Sequence, residues 1–283
     1  VGGTVRETCR AKLNLFLDVV GRRPDGFHEL VTVFHEVELS DELEVAAADA
    51  AGASIVVDPP APDVPSDERN LAVRAALALL ARAPGRGVSM RLAKRIPAGG
   101  GLGGGSADAA AALRAVNGLL GLGLAAADLR EVGAALGSDV AFLVEGGSAL
   151  ATGRGEVMRS VPSRPVDFLL LVPAFPLATA AVYRALPREL PPPRDPQPTL
   201  RALAAGDAEA LGRVCENALY EGARRVDPRV DEVMSGARAA LGPRVHLTGS
   251  GSTFFVPLRP GERTPRTEGI PHLRTALRTR SRA

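Results

Sequence analysis

The chain is short of the residues that most often announce a function. Its 283 residues include no tryptophan, two tyrosines and two cysteines. Cys9 and Cys215 lie far apart, with no histidine at metal-ligand spacing beside either, which excludes a disulfide framework and a zinc site and fits a reducing cytoplasm. A formal net charge of +2 is too small for a nucleic-acid or polyanionic-surface partner. Long apolar runs are missing as well. The richest stretch, Phe168 to Tyr183, is broken by Pro173 and Pro176, and the first residues lack the apolar core of a signal peptide. These absences predict a cytoplasmic protein that acts on a small molecule, without a membrane or nucleic-acid partner. Nothing in the pattern sets an oligomeric state.

Lysine is the scarcest charged residue. Of 34 basic side chains only Lys12 and Lys94 are lysines. An arginine-saturated composition reflects coding bias, so two surviving lysines are either chance or places where a compact ammonium is needed.

Glycine is abundant, and six of the seven residues from Gly99 to Gly105 are glycine, interrupted by Leu102. Pro97-Ala-Gly-Gly-Gly-Leu-Gly-Gly-Gly-Ser106 follows a predicted strand, Val88–Ile96, and enters an alanine-rich predicted helix, Ala107–Leu120. Consecutive backbone N–H groups with no Cβ in the way, at the start of a helix, form a cradle for phosphate. Gly99, Gly101 and Gly104 match a dinucleotide fingerprint in form, but the acid that should end the next strand is absent and another helix stands there. The Walker pattern fails too, because Gly105 is followed directly by Ser106 with no lysine.

Around the cradle the pattern predicts a mixed α+β chain in two lobes, 1–163 and 164–283. A strand from Ala11 to Val20 carries Lys12 and Asn14 on one face, which alone reads as a half-solvated edge. The turn Arg23-Pro-Asp-Gly26 delivers Phe27 and His28 to a strand Leu30–Leu39, and a separate short strand follows at Asp41–Val45. Asn70 stands at the start of a helix, Leu71–Ala83, and Ser138-Asp139 begins another helical turn. In the second lobe come a strand Phe168–Val172, a helix from Thr179 that bears Tyr183, and helices at 199–205, 207–222 and 228–241. A second glycine turn, Thr248-Gly-Ser-Gly-Ser252, follows, and the Arg-, Thr- and Pro-rich residues from about 257 predict a poorly packed tail.

Lys94-Arg-Ile-Pro-Ala-Gly-Gly-Gly-Leu-Gly-Gly-Gly-Ser-Ala-Asp108 resembles the ATP loop of the GHMP kinases, the family of galactokinase and of homoserine, mevalonate and phosphomevalonate kinases. Ala11–Leu17, Arg23–Leu30, Leu136–Phe142 and Leu247–Ser252 narrow the resemblance to the branch that phosphorylates a diphosphocytidyl sugar alcohol in non-mevalonate isoprenoid synthesis. The resemblance implies a ribosomal-protein-S5-like first domain, a ferredoxin-like second domain, and ATP with Mg²⁺. It implies Lys12 and Asp139 as the catalytic pair. For ATP it implies Pro97, Ala98, Gly99, Gly100, Gly101, Leu102, Gly103, Gly104, Gly105, Ser106 and Ala107, with Asn70 and Lys94 near the adenosine. For the substrate it implies Asn14, Phe27, His28, Thr179, Tyr183, Gly249, Ser250 and Gly251, with Phe27 and Tyr183 enclosing the cytosine.

Two positions depart from the family. Phe27 stands where tyrosine is common, and Ala107 replaces a second serine, which leaves Ser106 as the metal contact that the resemblance implies. Asp108 is expected to face the metal through water. A homoserine- or mevalonate-type kinase and a non-catalytic nucleotide-binding relative stay open at this point.

Overall fold

From His28 to Ala48 the chain has neither glycine nor proline, and it forms one uninterrupted strand, β2 (His28–Ala48), in the computed structural model, which describes residues 3–281. It follows β1 (Thr4–Arg22), another long strand. Contacts gather the chain into two compact units, and their boundary falls inside both strands, after Ala11 in β1 and after Glu38 in β2.

The first unit holds the described residues up to Ala11, Leu39–Ala98 and Gly103–Gly146. Here β3 (Gly52–Val57) lies parallel to β4 (Gly87–Ala93), and β4 runs antiparallel to the Glu42–Ala48 part of β2. Four helices accompany these strands: α1 (Leu71–Leu80), α2 (Gly104–Leu120), α3 (Ala126–Leu136) and α4 (Ser138–Glu145). Helix α2 packs against α1 and α4. Its buried run Ala109-Ala-Ala-Ala112 presents small side chains that let backbones approach closely.

The second unit holds Lys12–Glu38, Gly99–Leu102 and the described residues from Gly147 on. The hairpin β5 (Ser148–Gly153) and β6 (Val157–Ser160) pairs with Leu30–His35 of β2. Then come β7 (Asp167–Pro173), α5 (Thr179–Arg184), α6 (Gln197–Ala205), α7 (Ala208–Val214), β8 (Glu216–Asn217), α8 (Leu219–Val226) and α9 (Arg229–Leu241). The strands β9 (His246–Leu247), β10 (Phe254–Leu258) and β11 (Leu273–Arg280) complete an antiparallel sheet in the order β11-β7-β10-β9. Leu169, Leu171, Phe254 and Val256 of that sheet share a buried core with Val182 of α5, Leu219 of α8 and Val230 and Val233 of α9.

Four expectations differ from the fold. Lys12 and Asn14 are each only 3% exposed, so their face of β1 is covered rather than half-solvated. Ser40-Asp41 does not end a strand, because the Asp41 carboxylate serves distant groups instead of turning its own backbone. The helix expected over 207–222 is cut at Cys215, where Glu216-Asn217 pairs in parallel with Phe16-Leu17 of β1 and the Asn217 side chain caps α8 through Leu219 N at 2.8 Å. The described residues beyond 257 do not form a loose tail. Leu273–Arg280 pairs with β7 along the length of that strand, and Ser281 Oγ accepts from Val166 N at 2.7 Å. Among the described residues no helix is long and apolar enough to cross a membrane.

Two buried histidines make this fold sensitive to acid. His35 is fully buried, with Nδ1 2.7 Å from Ser148 Oγ and Nε2 without a partner, and burial lowers its pKa from 6.5 to about 4. His246, whose Nε2 lies 3.1 Å from Gly212 O, is lowered to about 4 chiefly by burial. Both rings bind protons more readily in the unfolded chain. Their stabilising contribution is therefore complete above pH 6.5 and is lost as pH falls from there through about 4. Urea denaturation across this window should show a falling unfolding free energy, with a shallower fall in His35→Gln; equal slopes in the two proteins would contradict it.

Candidate active site

Alternation along β1 sends Lys12 and Asn14 to one side, and two glycine turns close over them. Lys12 Nζ donates to Asn14 Oδ1 at 2.7 Å and to Gly101 O at 3.0 Å, and lies 5.7 Å from the centre of the Phe34 ring. Asn14 spends its amide on Thr32 Oγ1 at 2.8 Å, while its backbone N–H donates to Thr248 Oγ1 at 2.9 Å. Asn14 therefore orients the ammonium, and Thr32 and Thr248 orient Asn14.

The turns need glycine because they touch backbone to backbone. Gly101 has φ +78°, and a Cβ there would lie 2.5 Å from Thr248 O. Gly249 has φ +55°, and its Cβ would lie 2.8 Å from Gly101 O and 3.3 Å from Lys12 Nζ. Thr253 N donates to Gly100 O at 3.1 Å, and Asn217 Nδ2 donates to Leu247 O and Gly249 O, both at 2.9 Å. The same turn reaches α5, where Thr179 and Ser250 hydroxyls are 2.8 Å apart.

An aromatic group lies further along the same unit. The Tyr183 and His28 rings are 5.0 Å apart at an interplanar angle of 35°. Phe27 is 54% exposed, with the Arg154 guanidinium 5.0 Å from its ring centre. Burial, followed by the charge of Arg22, lowers the His28 pKa and favours the neutral ring.

In the first unit, Ser106 and Ala107 lie in the first turn of α2, whose N-terminus has no side-chain cap and no acidic residue. Asp139 is half-buried in the first turn of α4. Asn70 caps α1, accepting from Ala72 N at 2.9 Å while donating to Pro65 O at 2.7 Å.

Lys94 sits between two buried carboxylates. Its Nζ donates to Asp41 Oδ2 at 2.5 Å and to Asp108 Oδ2 at 2.7 Å. Asp41 Oδ1 also accepts from Arg95 N at 2.5 Å and Ile96 N at 2.8 Å, the residues that lead into Pro97. Asp108, expected to face a metal through water, is instead 2% exposed, with Oδ2 on Lys94 and Oδ1 unpartnered. Burial raises its pKa, with the Lys94 charge opposing and Asp41 adding to the rise. Burial also works against the Lys94 ammonium, but the two carboxylates outweigh it and its pKa is raised. No group of three or more His, Cys, Asp or Glu side chains among the described residues is arranged to hold a metal ion.

Residues 70–147 match the sequence model of the GHMP kinases N terminal domain. The chain is 43% identical over 250 residues to the 4-diphosphocytidyl-2-C-methyl-D-erythritol kinase of Pelotomaculum thermopropionicum, covering 87% of this chain and 86% of that one. The chain belongs to that kinase family, within the GHMP kinases. A solved 4-(cytidine 5'-diphospho)-2C-methyl-D-erythritol kinase superposes with a TM-score of 0.75 at 34% identity, over 98% of this chain and 99% of the other. L. major mevalonate kinase shares the fold alone, with a TM-score of 0.72 at 15% identity over 99% and 96% of the two chains. The mixed helix-and-sheet architecture is thus the GHMP kinase fold.

The sequence pattern does not single out Asp41, Thr32, Asn217 or Arg22. Asp41 lies among other acidic residues, Glu38, Glu42 and Glu44, and so carries no local signal. The others make contacts that no local pattern encodes.

The triad predicts a stability effect. Lys94→Met leaves Asp41 and Asp108 buried without their cation, and removing one partner of a buried ion pair costs about 3–5 kcal/mol. Urea denaturation of the variant should show a loss of that order, and a loss under about 1 kcal/mol would mean that the carboxylates are rehydrated.

Proposed function

We propose that the chain transfers the γ-phosphoryl group of ATP to the 2-hydroxyl of 4-diphosphocytidyl-2-C-methyl-D-erythritol. Lys12 carries this reading: it is a buried ammonium held by Asn14 and by Gly101 O where two glycine turns meet. Phosphoryl transfer needs positioning and charge neutralisation more than covalent chemistry from the protein. The chain offers both.

Gly99–Gly105 and the uncapped N-terminus of α2 supply backbone N–H groups and a positive dipole end for the ATP phosphates. Asp139 takes the proton of the attacking hydroxyl, and Lys12 steadies the developing negative charge. Asn14 keeps the ammonium in place. The turn Thr248–Ser252, with Gly249, Ser250 and Gly251, lines the substrate diphosphate, and Thr179 extends that wall through its contact with Ser250. Phe27, His28 and Tyr183 form the apolar, stackable surface that a cytosine requires and that homoserine or mevalonate would leave unused.

Mg²⁺ fits a site of this kind as an ion carried on the ATP phosphates. It keeps several waters and needs no all-protein cage. The Ser106 hydroxyl, half-exposed in the first turn of α2, is the side chain that would join it, whereas Asp108 is occupied by Lys94. When bound, the ion would neutralise phosphate charge. The adenosine falls to Asn70 and Lys94 on the family pattern, although both side chains already have partners within the chain. A cytoplasmic location follows from the same reading, since that is where its ATP is supplied.

ADP release should be fast with the diphosphocytidyl alcohol and near background with homoserine and mevalonate. Lys12→Ala and Asp139→Ala should each lower kcat about 10²-fold or more while ATP binding is largely kept. Near-normal turnover in either variant would remove that residue from the mechanism.

A further inference from the structure

Arg22 stands just before the turn that delivers Phe27 and His28, and its guanidinium reaches in two directions. Nη1 is 3.2 Å from His28 Nε2. Nη2 donates to Pro187 O at 2.9 Å and reaches Leu186 O at 3.5 Å, on the chain that leaves α5, the helix bearing Tyr183. One side chain therefore ties together the two segments whose rings face each other, His28 and Tyr183, 5.0 Å apart.

The chemistry of the first contact is one-sided. A guanidinium has five donors, no acceptor and no accessible neutral form. A hydrogen bond between Arg22 and His28 requires a lone pair on Nε2, so the neutral ring must carry its proton on Nδ1. The positive charge beside the ring also opposes its protonation, in line with the lowered His28 pKa.

We propose that Arg22 is a specificity-determining positioning residue, which fixes His28 with its proton on Nδ1 so that the ring offers a nucleobase a donor and no acceptor. This rests on the base site proposed above. Cytosine N3 is an acceptor, whereas uracil carries a hydrogen on N3; O2 accepts in both bases, so N3 is the position that distinguishes them. A His28 held as a donor pairs with cytosine N3 and sets N–H against N–H at uracil N3. If the ring were free to exchange tautomers it could serve either base, so the discrimination lies in Arg22 as much as in His28.

The test has two independent readouts. Nitrogen-15 NMR of histidine-labelled protein at neutral pH, with His28 signals assigned by their loss in His28→Gln, should show the Nδ1-protonated form in the native chain. In Arg22→Met that form should give way to a mixture, and Arg22→Lys, which retains a donor-only cation, should restore it. In parallel, the ratio of kcat/KM for the diphosphocytidyl alcohol over its uridine counterpart should fall about tenfold in Arg22→Met and recover in Arg22→Lys. A native ring protonated on Nε2, or a tautomer unmoved in Arg22→Met, overturns the proposal. A moved tautomer with an unmoved ratio overturns its specificity role. If the native protein phosphorylates neither alcohol, the function proposed above fails while the NMR result still decides what Arg22 does to His28.

Discussion

A lysine ammonium withdrawn from water must be surrounded by oxygen, and both lysines of this chain are in that position. Lys12 is 3% exposed and the Lys94 side chain 9%. Desolvation of a charge is expensive, and each site meets it by a different arrangement. Lys94 is matched by two carboxylates, Asp41 and Asp108. Lys12 donates to two neutral oxygens, the Asn14 amide and the Gly101 carbonyl, which orient its ammonium. The Lys94 arrangement is a brace between two segments of the first unit.

The brace and the cradle are linked through the chain itself. Asp41 holds the backbone of Arg95 and Ile96, two residues before the proline that opens the glycine stretch, and Asp108 holds Lys94 from within α2. The first unit thus fixes where the glycine stretch departs and where its helix resumes. Within the second unit, Gly100 and Gly101 are gripped by Thr248–Thr253. A loop with no side chains of its own to anchor it takes its conformation from groups on other elements.

What could be read from the sequence was what local chemistry dictates. The glycine stretch, the alternation that sets Lys12 beside Asn14 and the cap at Asn70 follow from signals a few residues wide. The narrower family resemblance came from several motifs in order, which is why it specified more than a glycine loop could. The triad was not legible, because Asp41, Lys94 and Asp108 come from three separate segments and no local window shows that they meet. The break at Cys215 was hidden by good helix formers on both sides, since a two-residue pairing with β1 overrides propensity. Strand β11 was obscured by its arginines, which lie on the exposed face of an edge strand as readily as in a loop.

The sheet order β11-β7-β10-β9 has a consequence for how the protein is made. β7 leaves the ribosome ending at Pro173, but its neighbours begin only at Phe254 and Leu273. A hydrophobic strand, Phe168-Leu-Leu-Leu-Val172, therefore waits with both edges bare while the intervening helices are translated. During that interval the nascent chain presents the kind of segment that holding chaperones bind and that pairs wrongly with neighbouring chains. The arginine-studded β11 covers one of those edges with a charged border, so the same residues that concealed the strand in the sequence protect the finished sheet from further pairing.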